Sequence, residues 1–240
     1  MKRSSFIMLD GIDGSGKTTM LKIFASALAG QDQVVFDLPA WCKEHHRLPT
    51  LAECGQPDLL ISAEPTQAWI GAAIRQELIR TGTGYTPRTI AEAFALDRMM
   101  LYERLLIPLR RAGTIIVQDR GVATSLVYQA SEQTGLSLEE VVALPGNALA
   151  LRHAPDVLII ADCRPETAIT RLAGRNEKND DSHFEQTEFL RIHAERFRAP
   201  WFRELWQTQG TQLIYLDANR PAEEVQRECI SIANSLITHA

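Results

Sequence analysis

Phe6-Ile7-Met8-Leu9-Asp10-Gly11-Ile12-Asp13-Gly14-Ser15-Gly16-Lys17-Thr18-Thr19 is the stretch on which the fold turns. Its first four residues form a short continuous apolar run, the pattern of a strand buried on both faces of a parallel sheet. Gly11 to Thr18 then follows the spacing G-x-x-x-x-G-K-[ST]. In such a turn the glycines let successive backbone N–H groups converge on phosphate oxygens, and the lysine adds charge where β- and γ-phosphates lie. The threonine hydroxyl can ligate Mg²⁺. From Lys17 to Ala29 the chain reads as a helix whose N-terminus points at the same anion. Strand, glycine turn and helix together predict a phosphate cradle in which Gly11, Asp13, Gly14, Ser15, Gly16, Lys17, Thr18 and Thr19 hold ATP. The glycines do not fall as G-x-G-x-x-G, so a Rossmann site is excluded. No Asn-Lys-x-Asp segment for a guanine base occurs.

Outward from this stretch, further apolar runs recur at Val34–Phe36, Leu59–Ile61, Thr114–Val117, Val157–Ile160 and Leu213–Leu216, with helical segments between most of them. Helices are predicted at Trp69–Arg80, at Thr89–Arg111 with a bend near Pro108, and at Thr187–Gln207 with a kink at Pro200. Ser137 with Glu140 makes a capping box, and Pro165 and Pro221 stand where helices begin. Strands alternating with helices give an α/β class, a three-layer P-loop fold with a parallel sheet of about five strands. We expect one domain over residues 1–240. Leu38 to Asp58 reads as a surface excursion inserted near 38–58, longer than an ordinary connection.

The 240 residues, 45% hydrophobic and 23% charged, suit one soluble domain. A net charge of −5 argues against a broad nucleic-acid surface. The apolar run at Phe6 is too short for a signal peptide or a membrane span. Cys42, Cys54, Cys163 and Cys229 are scattered, as expected of reduced thiols in a cytoplasmic protein. Cys42, His45, His46 and Cys54 match no strong zinc spacing and read as an ordinary polar loop. A serine hydrolase has no support, because no G-x-S-x-G elbow occurs.

A phosphoryl acceptor needs its own cationic grip. The run at Thr114–Val117 ends in Gln118-Asp119-Arg120-Gly121, and strand ends gather beside the cradle in a parallel sheet. Asp119 could hold Mg²⁺ with Thr18 while Arg120 grips a phosphate; a surface ion pair is the alternative. Arg171 and Arg175 share a helix face at i, i+4. Gly174 and Asn176 to Ser182 follow, the composition of a lid near 171–185 that would bring both arginines to the transferring group.

These motifs resemble the thymidylate kinase family, from Phe6 to about Asp217. The P-loop is close to the family's form. Glu64-Pro65-Thr66 is similar to its Glu-Pro segment, Phe94-x-x-x-Arg98 to its base-binding helix, and Asp119-Arg120 to its Asp-Arg-Tyr motif. Ser125-Leu126-Val127-Tyr128-Gln129 is similar to its Ser-x-x-Tyr-Gln stretch, and Arg171-x-x-x-Arg175 with Phe184-Glu185 to its lid. The resemblance implies ATP-dependent phosphorylation of a deoxynucleoside monophosphate, dTMP to dTDP, with Mg²⁺, in a cytoplasmic homodimer. It implies that Lys17, Asp119, Arg120, Arg171 and Arg175 are catalytic. Asp13, Glu64, Pro65, Phe94, Arg98, Arg120, Ser125, Tyr128 and Gln129 would bind the acceptor. Asp13 would touch the sugar, Phe94 stack on the pyrimidine and Arg98 bond its carbonyl edge. Arg120 would hold the monophosphate and Tyr128 crowd the 2′ position. Read without the resemblance, Phe94 is a core-packing residue on an apolar helix face and Tyr128 a half-buried packing residue with a hydrogen-bonded hydroxyl. Gly121 in place of Tyr, Ala63 in place of Arg, and Ser182-His183 in place of Asp-Arg depart from the family pattern. A deoxynucleoside kinase or a kinase of a modified pyrimidine monophosphate, and a nucleotide-binding regulator with little turnover, are the alternatives.

Overall fold

The computed structural model describes residues 5–30, 32–80, 82–131, 133–173 and 187–238. Six strands form one sheet: β1 (Phe6–Asp10), β2 (Val35–Asp37), β3 (Leu59–Ala63), β4 (Ile115–Asp119), β5 (Val157–Asp162) and β6 (Gln212–Asp217). The spatial order is β2-β3-β4-β1-β5-β6, and every pairing is parallel. All six apolar runs become strands, one more than the predicted five. Every side chain of β1 is buried, as its continuous apolar run requires at the centre of a two-sided sheet. β2 is the short edge, three residues long with Val35 exposed, which limits edge-to-edge pairing.

Helices cover both faces. α1 (Lys17–Leu28) packs beside the C-terminal helix. The 38–58 segment departs from the expected surface excursion. It forms α2 (Leu38–His45), capped by Asp37, and α3 (Leu51–Cys54), started by a Thr50/Glu53 capping box. Leu38, Cys42, Leu48 and Cys54 are all buried in the main core. The zinc ligands weighed there do not converge: His45 stacks on Trp41 at 4.0 Å, and burial raises the Cys42 thiol to about 12. Among the described residues no three His, Cys, Asp or Glu side chains gather as a metal-holding group.

α4 (Trp69–Ala73) runs into a π-helical turn, Ile74–Leu78. α5 (Pro87–Leu101), a second π turn (Tyr102–Leu106) and α6 (Ile107–Arg111) make one long rod. The second wide turn sits just before Pro108, which has no N–H for the carbonyl one turn back. α7 (Val122–Tyr128), α8 (Leu138–Ala143) with its Ser137/Glu140 box, and α9 (Pro145–Arg152) follow β4. α10 (Pro165–Ala173) leaves β5. The predicted long helix is broken at Pro200 into α11 (Thr187–Arg198) and α12 (Pro200–Thr208), and α13 (Ala222–Thr238) closes the chain. No helix among the described residues is long and apolar enough to cross a membrane. β1 lies between β4 and β5, so the sheet order reverses around it, and the C-terminal ends of these strands frame the ligand crevice.

Candidate active site

The cradle forms where β1 ends. Gly11, Gly14 and Gly16 all take positive φ, which wraps the backbone around a central hollow. At Gly14 a Cβ would collide with the Ala168 carbonyl, so α10 lies directly against the loop. Lys17 is buried, and its Nζ donates to the Ile12 carbonyl at 2.7 Å and contacts Ser15 Oγ at 3.4 Å. Burial pushes its pKa down to about 8, and Arg120 adds repulsion; Asp13, Asp119 and Asp10 pull the other way.

β4 delivers the second cluster. Its register places Leu9 opposite Asp119, so the two strand ends are neighbours. The Thr18 hydroxyl donates to Asp119 Oδ2 at 2.9 Å. Asp119 Oδ1 is buried without a hydrogen-bond partner. Arg120 takes left-handed backbone (φ +63), which turns its side chain back across the cradle. Its Nη1 donates to the Gly11 carbonyl and to Thr124 Oγ1, both at 3.2 Å, and lies 3.6 Å from Asp10 Oδ1. Its Nη2 is paired with Asp13. Burial opposes the guanidinium charge, but Asp13, Tyr128, Asp10 and Asp119 outweigh it and push the pKa up. The surface ion pair considered for Arg120 is therefore replaced by a partly buried bridge between the two strand ends.

Asp10 was not singled out from the sequence. It is fully buried, accepts from the Gly11 N–H at 2.8 Å and from Thr124 Oγ1 at 2.7 Å, and burial raises its pKa. An ionisable residue ending an otherwise apolar strand was the available signal.

The residues expected to take the acceptor form a buried network. Arg98, 1% exposed, pairs with Glu64 at 2.7 Å, and its Nη2 also donates to Ser125 Oγ at 3.1 Å. Its Nη1 donates to Asn147 Oδ1, while Nε is buried without a partner. Gln118 links Glu64 to the Arg120 carbonyl at 3.0 and 2.9 Å. Burial raises Glu64 to about 7 against the pull of Arg98. Asp97 holds the N–H and hydroxyl of Thr66 at 2.7 and 2.6 Å, which fixes the turn after the cis Glu64–Pro65 bond.

Phe94 is half-buried and joins neither hydrophobic cluster of the described residues, against the core-packing alternative. Tyr128 is buried beside Arg120 and stacks on His193 at 4.1 Å. Gln129 is buried with its Oε1 unpartnered. At Gly121 the space a side chain would enter is filled by the Met8 thioether, which accounts locally for the missing tyrosine. Arg171 donates to the Ala218 carbonyl at 2.8 Å and lies 3.9 Å from Cys163 Sγ, at the ends of β6 and β5. Arg175, Ser182-His183 and Phe184-Glu185 lie outside the described residues, as does most of the expected lid.

Comparison with known proteins agrees with this arrangement. The family profile described as thymidylate kinase matches residues 49–229. The chain is 31% identical to a probable thymidylate kinase of Pyrobaculum calidifontis, over 95% of this chain and 94% of that protein. It is 30% identical to a thymidylate kinase of a Synechococcus species (94% and 93%), and 27% identical to one of Lactobacillus delbrueckii subsp. bulgaricus (96% and 95%). A P-loop and an Asp-Arg strand end meet on one parallel sheet, and likeness to these relatives runs over nearly the whole length: the chain belongs to the thymidylate kinase family.

Proposed function

We propose that this protein transfers the γ-phosphoryl group of ATP to dTMP, giving dTDP. The observation that carries the reading is the adjacency of two anion-holding clusters, the P-loop after β1 and Arg120 after β4, bridged by Asp10, Asp13 and Thr124. Family membership supports dTMP as the acceptor.

Backbone N–H groups from Gly11 to Thr18 and the Lys17 ammonium hold the triphosphate. Arg120 aims the acceptor phosphate, with Asp13 next to it for the sugar. Phe94 and Arg98 take the base, backed by Glu64, Pro65, Ser125 and Gln129, and Tyr128 limits room at the 2′ position. Arg171 and Arg175 add positive charge as charge develops in the transition state, so positioning and electrostatics carry the catalysis. A hydroxyl and a carboxylate make a hard oxygen donor pair, and Asp119 Oδ1 is buried with no protein partner, so Thr18 and Asp119 fit Mg²⁺. When bound, that ion neutralises phosphate charge. We place the protein in the cytoplasm as a homodimer, with sedimentation velocity as the check on assembly.

Lys17→Ala should abolish dTDP formation with an unchanged circular dichroism spectrum. Near-normal turnover in that variant removes the proposal. A panel of nucleosides and monophosphates, read by ADP release, should show dTMP preferred and free thymidine rejected.

A further inference from the structure

Asn147 sits in the acceptor-side network with no role yet assigned. It lies in the first turn of α9, fully buried, and both ends of its amide are committed. Nδ2 donates to the Val141 carbonyl at 2.7 Å, and Oδ1 accepts from Arg98 Nη1. With a backbone carbonyl taking the amino end, the oxygen end is the one left to face the guanidinium. The preceding residue makes the approach possible. A Cβ at Gly146 would overlap the Ala95 carbonyl, so glycine alone lets α9 meet the backbone of α5 there. Ala95 is three residues before Arg98, one turn along the same helix.

Three acceptors from three different elements therefore hold the two terminal nitrogens of Arg98: Glu64 after β3, Ser125 on α7 and Asn147 on α9. The Nε–H stays buried without a partner. A buried donor left unmade costs about 1–3 kcal/mol, which an incoming acceptor atom would recover. Phe94 lies one turn earlier on the same helix face, half-buried and outside both hydrophobic clusters. An arginine free to move would lose about 2 kcal/mol of rotamer entropy on binding a ligand, and this one has already been fixed.

We infer that Asn147 is a positioning residue for the acceptor base, which, brought to α5 by the Gly146 close approach, fixes the Arg98 guanidinium so that its unpaired Nε–H meets the C4 carbonyl oxygen of the pyrimidine. The inference rests on Phe94 and Arg98 taking the base, as proposed above. It makes Asn147 part of base selection although it does not touch the ligand.

The test compares dTMP with dCMP, which has an amino group in place of the C4 carbonyl and lacks the 5-methyl group, in wild type, Asn147→Ala, Asn147→Asp and Arg98→Lys. Wild type should prefer dTMP. Asn147→Ala should raise KM for dTMP about tenfold, the factor that one hydrogen bond carries. It should leave kcat and KM for ATP within about threefold, and shrink the dTMP/dCMP ratio of kcat/KM about tenfold by the same arithmetic. Asn147→Asp keeps the acceptor oxygen and should hold that ratio within about threefold on the same scale. A purely structural role would lower thermal stability and both substrates' kcat/KM together, leaving the ratio unmoved, and that result overturns the inference. Loss of the ratio in Asn147→Asp overturns it as well, and this variant decides alone if Asn147→Ala does not fold. Arg98→Lys separates the two levels. If it leaves the ratio at the wild-type value, the base reading of Arg98 itself fails. If it collapses the ratio and Asn147→Ala does not, only the role of Asn147 falls.

Discussion

Acid should destabilise this protein more than its carboxylates alone require, because of His193. The ring is fully buried on α11, stacked on Tyr128 at 4.1 Å and in tilted contact with Phe189 at 4.0 Å, with Nδ1 2.6 Å from the Phe189 carbonyl. Burial pushes its pKa from 6.5 down to about 4; Arg196 adds to this, and Asp13 with the Phe189 and Tyr128 backbone opposes it. The unfolded chain takes up the proton near pH 6.5, whereas the folded chain resists it until about pH 4. Between those values the unfolded state binds more protons, so stability is whole above 6.5 and is lost as pH falls towards 4. At about 1.4 kcal/mol per pKa unit the full loss is about 3 kcal/mol, of which about 2 kcal/mol has gone by pH 5. That is a large share of an ordinary domain's 5–15 kcal/mol, by order of magnitude roughly a fifth. Urea unfolding at pH 7.5 and pH 5, on wild type and His193→Phe, isolates the effect. Wild type should lose about 2 kcal/mol more than the variant across that interval. Equal losses would refute the reasoning, as would a ring that titrates by NMR near 6.5 in the folded protein.

Gly14→Ala places a methyl against the Ala168 carbonyl at a residue with φ +78, and should destabilise the fold by about 1–3 kcal/mol while weakening ATP binding. Thermal shift with and without ATP reads both effects, and wild-type affinity would contradict the close approach. Ser137→Ala removes the capping box of α8 and should cost about 1 kcal/mol in urea unfolding. Its turnover should stay at the wild-type value.

The centre of the fold was readable because its signals are local. β1, the glycine turn and α1 lie within some two dozen residues, and Asp119-Arg120 could be placed from the rule that binding groups collect at parallel strand ends. The roles of Asp10, Asn147 and His193 were not readable, since each depends on partners far along the chain: Thr124 for Asp10, Arg98 for Asn147, Tyr128 for His193. The 38–58 segment was misjudged for a different reason. Thr50-x-x-Glu53 is a helix-start signal of the same kind as Ser137-x-x-Glu140 and was available but not used, and the burial of Cys42 and Cys54 follows from tertiary packing.

The Asp13–Arg120 pair has a thermodynamic corollary. On the proposed reading, a monophosphate arriving at Arg120 would not meet a bare cation but would displace a carboxylate already seated there, so that one anion takes another's place on the guanidinium. Arg120 and Asp13 already form a neutral pair, so the long-range pull of the cation on the ligand is offset before it arrives. Affinity for the acceptor should accordingly vary only weakly with ionic strength, while the released Asp13 becomes available to a neighbouring hydroxyl at the same moment.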